Sequence, residues 1–168
     1  MHKLSSCSLL VTLWTLGHLQ SAASQTPRFA DLEGYSIAAD YQEMVTTRRS
    51  GSFQQTWSDR IYFSTKGRIF HRFNRQSSRP ENARSRESVS DEEGQGDGHS
   101  ASYRWTGSGI AREWTNRRGN RIRQSITITP TNNGYVCQMS VERFAGRGAA
   151  TPLRQTCQVI KGNILASR

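Results

Sequence analysis

Downstream of residue 24 the chain holds two cysteines, Cys137 and Cys157, two histidines, His71 and His99, and a dense run of arginines. Two cysteines in an exported chain point to a disulfide, which also leaves no thiolate for nucleophilic chemistry. The carboxylates Asp40, Glu43, Asp59, Glu113 and Glu142 are the stock from which a glycosidase pair would come, and their spacing nominates no two of them. Gly107-Ser108-Gly109 is a glycine-flanked serine without the strand-to-helix elbow of a hydrolase. The acidic run Asp91–Gly96 has oxygen side chains at alternate positions, but Ser102 stands where a calcium loop places its bidentate glutamate. No Cys/His spacing fits zinc, and His71 reads as a packing residue of a strand. The expectation is therefore a non-enzymatic protein with neither cofactor nor metal.

The richest feature is the stretch from Arg112 to Arg123, with Trp114 inside it. Guanidinium groups match phosphates and carboxylates, and an adjacent indole can stack on a ring. Arg117, Arg118, Arg121 and Arg123 are the candidate anion-binding residues, with a solvated hairpin tip as the plainer alternative. Single-stranded nucleic acid uses this combination, but an exported protein is not expected to meet it. The whole chain carries a net charge of +10, and 20 of its 23 basic residues are arginine. That balance favours anionic partners through long-range attraction.

Export is inferred from the first 24 residues. Lys3 precedes an apolar run, Ser8 to Leu16, of signal-peptide length, and small residues follow at Ser21-Ala22-Ala23-Ser24. The run is too short to span a bilayer, so no transmembrane anchor is expected. Cleavage after Ser24 leaves residues 25–168 as one domain, in the periplasm or outside the cell.

Those residues need a scaffold, and the dominant period is two. Tyr35, Ile37, Ala39 and Tyr41 alternate with polar residues, as do Trp57, Asp59, Ile61 and Phe63. Thr65-Lys66-Gly67 then turns the chain into Arg68–Phe73, a hairpin signature. Further strands are expected over Ser102–Trp105, Ile110–Trp114, around Ile122–Ile128, Tyr135–Val141 and near Cys157–Val159. No segment shows a helical stripe over three turns. The expected fold is all-β: an antiparallel meander of about seven or eight strands, closed or nearly closed into a small barrel, with a β-sandwich as the alternative. From residue 75 to 100 the only apolar side chains apart from Pro80 are Ala83 and Val89, so a polar, disordered loop is expected there.

In a closed sheet the aromatics Tyr35, Tyr41, Trp57 and Trp105 are candidate ligand-lining residues, though an ordinary β-core uses the same residue types. Two functions follow as expectations. One is a binding module for a small amphipathic or anionic ligand. The other is an interaction or inhibitor-type envelope protein that meets an acidic partner through surface loops, with the 75–100 segment or the arginine tip making the contact.

Three motifs carry a resemblance: Leu32-x-Gly34 before the first strand, the hairpin from Ile61 to Phe70, and the late strand Cys157 to Asn163 ending in Gly-Asn. Together they resemble a group of small exported bacterial β-proteins, and the likeness implies fold and export but no activity. Leu32-Glu33-Gly34-Tyr35 is also similar to the opening of lipocalins, with Ser36 in place of the tryptophan of their G-x-W signature. That likeness implies an up-and-down barrel.

Overall fold

A computed structural model describes residues 26–47, 51–96, 102–116, 119–145, 148–149 and 153–166. The proposed signal segment, residues 1–24, lies outside them.

The short 3₁₀ turn η1 (Phe29–Leu32) leads into β1 (Tyr35–Thr47), β2 (Gly51–Phe63) and β3 (Arg68–Ser77). A second 3₁₀ turn, η2 (Pro80–Asn82), precedes β4 (Arg84–Asp91). There follow β5 (Arg104–Trp105), β6 (Gly109–Thr115), β7 (Arg121–Thr131), β8 (Gly134–Ala145), β9 (Gly148–Ala149) and β10 (Leu153–Lys161). Nine of these strands form one antiparallel wall in the order β4-β3-β2-β1-β10-β8-β7-β6-β5, and β9 lies off this path, paired with β8. The first and last long strands meet in a ladder from Tyr35↔Lys161 to Ala38↔Gln158, which curls the meander into a nearly closed barrel and not a sandwich.

Period-two patterning sets the inner face. Ile37, Ile61, Phe63, Ile69, Ile110, Ile126, Ile128 and Met139 are all essentially buried. The β2–β3 hairpin turns where the sequence signals it, with Gly67 at φ 66° in a conformation that favours glycine. Phe29 and Leu32 of η1 plug one end. Phe29 packs edge-on against Phe63 at 5.6 Å and Trp105 at 5.8 Å. The two glycine motifs meet beside this plug: the Gly162 N–H donates to the Gly34 carbonyl at 2.7 Å, and Ser36 Oγ donates to the Gly162 carbonyl at 2.6 Å. Cys137 and Cys157 face each other in the β8–β10 ladder and form a disulfide, with Cα atoms 5.3 Å apart.

The expectation of a disordered loop over 75–100 needs correction for residues 75–96. β3 runs on to Ser77, and Arg84–Asp91 forms β4 against it, from Arg68↔Asp91 to Arg75↔Arg84. An edge strand buries little, so its ladder and cross-strand polar contacts replace the apolar residues it lacks. Arg72 with Glu87 at 2.6 Å and Ser85 with Asn74 at 2.7 Å are two of these. Residues 97–100 lie outside the described residues. This strand takes the count past the expected seven or eight.

The barrel closes differently on its two sides. β1 and β10 share a ladder, whereas β4 and β5 do not. The latter are tied by the Trp105 N–H donating to the Glu92 carbonyl at 2.7 Å and Ser90 Oγ donating to the Tyr103 carbonyl at 2.7 Å. Among the described residues, β5 covers only Ile110 and Ala111 of β6, and no ladder joins β4 to the rest of β6, which leaves a seam there.

Candidate functional site

Above the isoleucine layer, the same strands turn polar. Asp59 of β2, His71 of β3, Arg112 of β6 and Gln124 of β7 all project inward and are buried, Asp59 completely. Arg112 Nη2 donates to Asp59 Oδ1 at 3.0 Å, and Arg112 Nε donates to Gln124 Oε1 at 2.8 Å. Gln124 Nε2 returns a hydrogen bond to Asp59 Oδ2 at 2.9 Å. His71 Nε2 lies 2.7 Å from Asp59 Oδ1.

The charge states follow from these contacts. Burial pushes the Asp59 carboxyl up, but the Arg112 guanidinium and the His71 and Gln124 donors outweigh it and hold it below the usual carboxylate value. Burial pushes His71 down, and Arg112 adds to that against the pull of Asp59, so the ring stays neutral. An ionised carboxylate can only accept, so the ring proton sits on Nε2 and Nδ1 carries the lone pair. That lone pair faces Ser88 Oγ and Arg112 Nη1, each at 3.4 Å.

An aromatic shell surrounds Arg112. Its guanidinium carbon lies 4.8 Å from the Tyr103 ring centre, 5.0 Å from Trp114 and 5.8 Å from Phe73. Tyr103 also packs edge-on to His71 at 5.0 Å. Its hydroxyl is fully buried with no hydrogen-bond partner, and burial raises its pKa well above the ordinary value, so it remains a neutral phenol. Among the described residues, Trp57 Nε1 is the other buried side-chain polar atom without a partner. Buried donors left unpaired are costly, which makes these two positions notable.

The sequence candidates separate in space. Tyr41 and Trp57 stack on each other at 5.7 Å with an interplanar angle of 2°. Arg75 lies over the same indole at 5.2 Å. Tyr35 instead packs edge-on to Tyr135 at 5.4 Å beside the plug, and Trp105 packs on Phe29. Arg121 is exposed over the Phe144 ring at 4.6 Å, and Arg123 is exposed 3.8 Å from Glu113. Arg117 and Arg118 lie outside the described residues. The cation brought into the interior is Arg112, from the start of the same arginine run.

Two hollows open on the outer wall. One, about 560 Å³, lies where β1 and β10 part beyond the Ala38↔Gln158 pair. Asp40, Tyr41 and Gln42 line it on one side, and Arg154, Gln155 and Thr156 on the other. The second, about 350 Å³, sits outside the β2–β3 turn between Tyr62, Phe70 and Leu165. Neither touches the buried quartet, but the first reaches Tyr41 and through it the Trp57 stack. Among the described residues, no group of three or more His, Cys, Asp or Glu side chains could hold a metal ion.

Sequence reasoning missed the quartet as a unit. A signal for it exists: Asp59, His71 and Gln124 have the same strand parity as Ile61, Ile69 and Ile126, which places polar groups on the buried face. Comparison of the chain with protein-family models, curated proteins and solved structures finds no match.

Proposed function

We propose that this protein is an exported binding module whose β1–β10 hollow takes a small amphipathic anion. The observation that carries the reading is the floor of that hollow: Tyr41, stacked on Trp57, forms an aromatic base at a break in the wall. Its volume of about 560 Å³ lies within the roughly 300–1,000 Å³ of ligand sites, while its lining apart from Tyr41 is polar, with Asp40, Gln42 and Thr56 facing Arg154, Gln155 and Thr156. Arg154 on its rim supplies an exposed cation, and the net charge of +10 draws anions to the surface. Trp57 Nε1, buried without an acceptor, is a donor that a bound ligand could use after a small shift of the stack. The Cys137–Cys157 disulfide supports an oxidising compartment, periplasmic or extracellular.

Titration with 1-anilinonaphthalene-8-sulfonate, an aromatic anion, tests this reading. Saturable binding of one probe per chain is expected. Tyr41→Ala should weaken it at least about tenfold, the loss of roughly 1.4 kcal/mol of stacking and burial. Arg154→Ala should weaken it about threefold, more at low salt than at high salt. Absence of saturable binding, or equal affinity in both variants, would sink the proposal.

A further inference from the structure

Binding at the β1–β10 hollow leaves one arrangement of the interior unused. Ser88 Oγ lies 3.4 Å from the lone-pair nitrogen of His71, Nδ1, while the opposite ring nitrogen donates to Asp59 at 2.7 Å. Ser88 and His71 are directly opposed in the β3–β4 ladder, so the strands themselves set the pairing. The geometry has the three parts of an activated nucleophile: a hydroxyl, a neutral base within reach, and a carboxylate fixing the base's tautomer. The ring is used in the reverse sense to the familiar triad, with Nδ1 toward the serine.

Access comes from the seam. Among the described residues, β4 from Arg84 to Ser88 has no ladder partner on its outer side, and β6 has none there beyond Ala111. Ser88 is half-buried at this edge, whereas His71 and Asp59 lie behind it. Arg112 Nη1 lies 3.4 Å from the same Nδ1, so Ser88 Oγ and the guanidinium both face this one ring nitrogen. A guanidinium has five N–H donors. Gln124 and Asp59 engage two of Arg112's, while Nη1 shares the Nδ1 lone pair with Ser88. Once Nδ1 takes up the serine proton it no longer accepts from Nη1, whose N–H is then released toward a developing oxyanion.

We propose that Ser88, His71 and Asp59 form a serine-nucleophile relay that hydrolyses small carboxylic esters entering at the β4–β6 seam. Ser88 Oγ bonds to the ester carbonyl carbon as its proton passes to His71 Nδ1, and Arg112 receives the negative oxygen. The bond to the alkoxy group then breaks, and the leaving alcohol takes the proton from Nδ1. Water attacks the acyl-serine by the same route, giving a carboxylic acid and free Ser88. Phe73 and Trp114, beside Arg112, offer the substrate's apolar part a surface.

The test is fluorophosphonate labelling of the full exported chain, with peptide mass mapping and p-nitrophenyl acetate turnover. The expected result is one phosphonyl adduct on Ser88, and turnover that falls at least about a hundredfold in Ser88→Ala. That variant removes one half-exposed hydroxyl, so its melting transition should stay within a few degrees of the parent's. Asp59 acts by positioning, and its readout is the pH profile of labelling. The groups facing His71 are Asp59 from β2, Ser88 from β4, Arg112 from β6 and Tyr103. Asp59→Asn should move the midpoint to lower pH, because the imidazolium formed in the step loses its counter-charge. A folded protein whose Ser88 peptide stays unlabelled, an adduct elsewhere, or a Ser88→Ala variant that turns over equally fast would each overturn the relay. The outcome is separable from the binding reading, since Ser88→Ala leaves the β1–β10 hollow intact.

Discussion

The barrel interior holds two adjacent layers contributed by the same four strands. Ile61, Ile69, Ile110 and Ile126 form one, and Asp59, His71, Arg112 and Gln124, each two residues away along its strand, form the other. The two interlock across β2 and β3, where Ile61 stands opposite His71, and stay apart across β6 and β7. Because strand side chains alternate with a period of two, both sets face inward and both are buried. The isoleucine layer, closed by Phe29 and Leu32, needs no partner beyond shape. The polar layer must satisfy every donor and acceptor, and it does so for Asp59 through three separate donors. Next to it, in the aromatic shell, the Tyr103 hydroxyl and Trp57 Nε1 are buried and unpaired. One layer therefore stabilises the fold by burial alone. The other carries a desolvation cost that a purely apolar core would avoid.

Substitutions along β2 break this comparison most directly. Asp59→Ala should have the largest effect, about 3–5 kcal/mol, because it strands the buried Arg112 charge. Urea denaturation measures it. Combining Asp59→Leu with Arg112→Met should recover most of that loss, since removing both charges also removes the desolvation penalty. A double variant as unstable as Asp59→Ala would show that the pair stabilises the barrel in its own right. Two residues further on, Ile61→Ala should cost about 3 kcal/mol through lost transfer energy and the cavity left behind. Its cost should be the same at every pH near neutrality, unlike that of any change in the polar layer.

Much of the wall is legible in the sequence because its information is local. The β2–β3 hairpin, the alternation of β1 and the Cys137–Cys157 pairing follow from period, turn chemistry and cysteine count. β4 is not legible in that way: Arg84–Asp91 carries almost no apolar residue, and only its cross-strand neighbours on β3 give it a reason to be extended. The buried quartet is half legible. Parity places Asp59 on the same face as Trp57, Ile61 and Phe63, but nothing in one strand reveals that Arg112, 53 residues later, supplies its counter-charge. The aromatic candidates divide for the same reason. Residue type marks Tyr35, Tyr41, Trp57 and Trp105 alike, whereas curvature and the η1 plug decide that Tyr41 meets Trp57 and Trp105 meets Phe29.

The comparison is sharpened, at the smallest scale, by acid. His71 is held below its ordinary pKa of 6.5, first by burial and then by Arg112. As pH falls through about 6.5 the unfolded chain takes up a proton that the folded chain refuses. Stability is therefore complete above that value and declines below it, by at most about 1.4 kcal/mol per pH unit, until the folded-state pKa is reached. Asp59 adds a second loss of the same sign at lower pH. The unfolded carboxyl protonates near its ordinary 3.8 while the folded one, held lower by Arg112, His71 and Gln124 against its burial, stays ionised. Urea midpoints measured from pH 8 to pH 4 should thus fall steadily below about pH 6.5. In His71→Gln, whose amide can donate to Asp59 but does not titrate, the midpoint should be lower overall yet flat between pH 7 and pH 5. A parent protein equally stable at pH 7 and pH 5 would mean that the folded ring takes up the proton as readily as the unfolded one. The neutral-base geometry facing Ser88 would then fail with it.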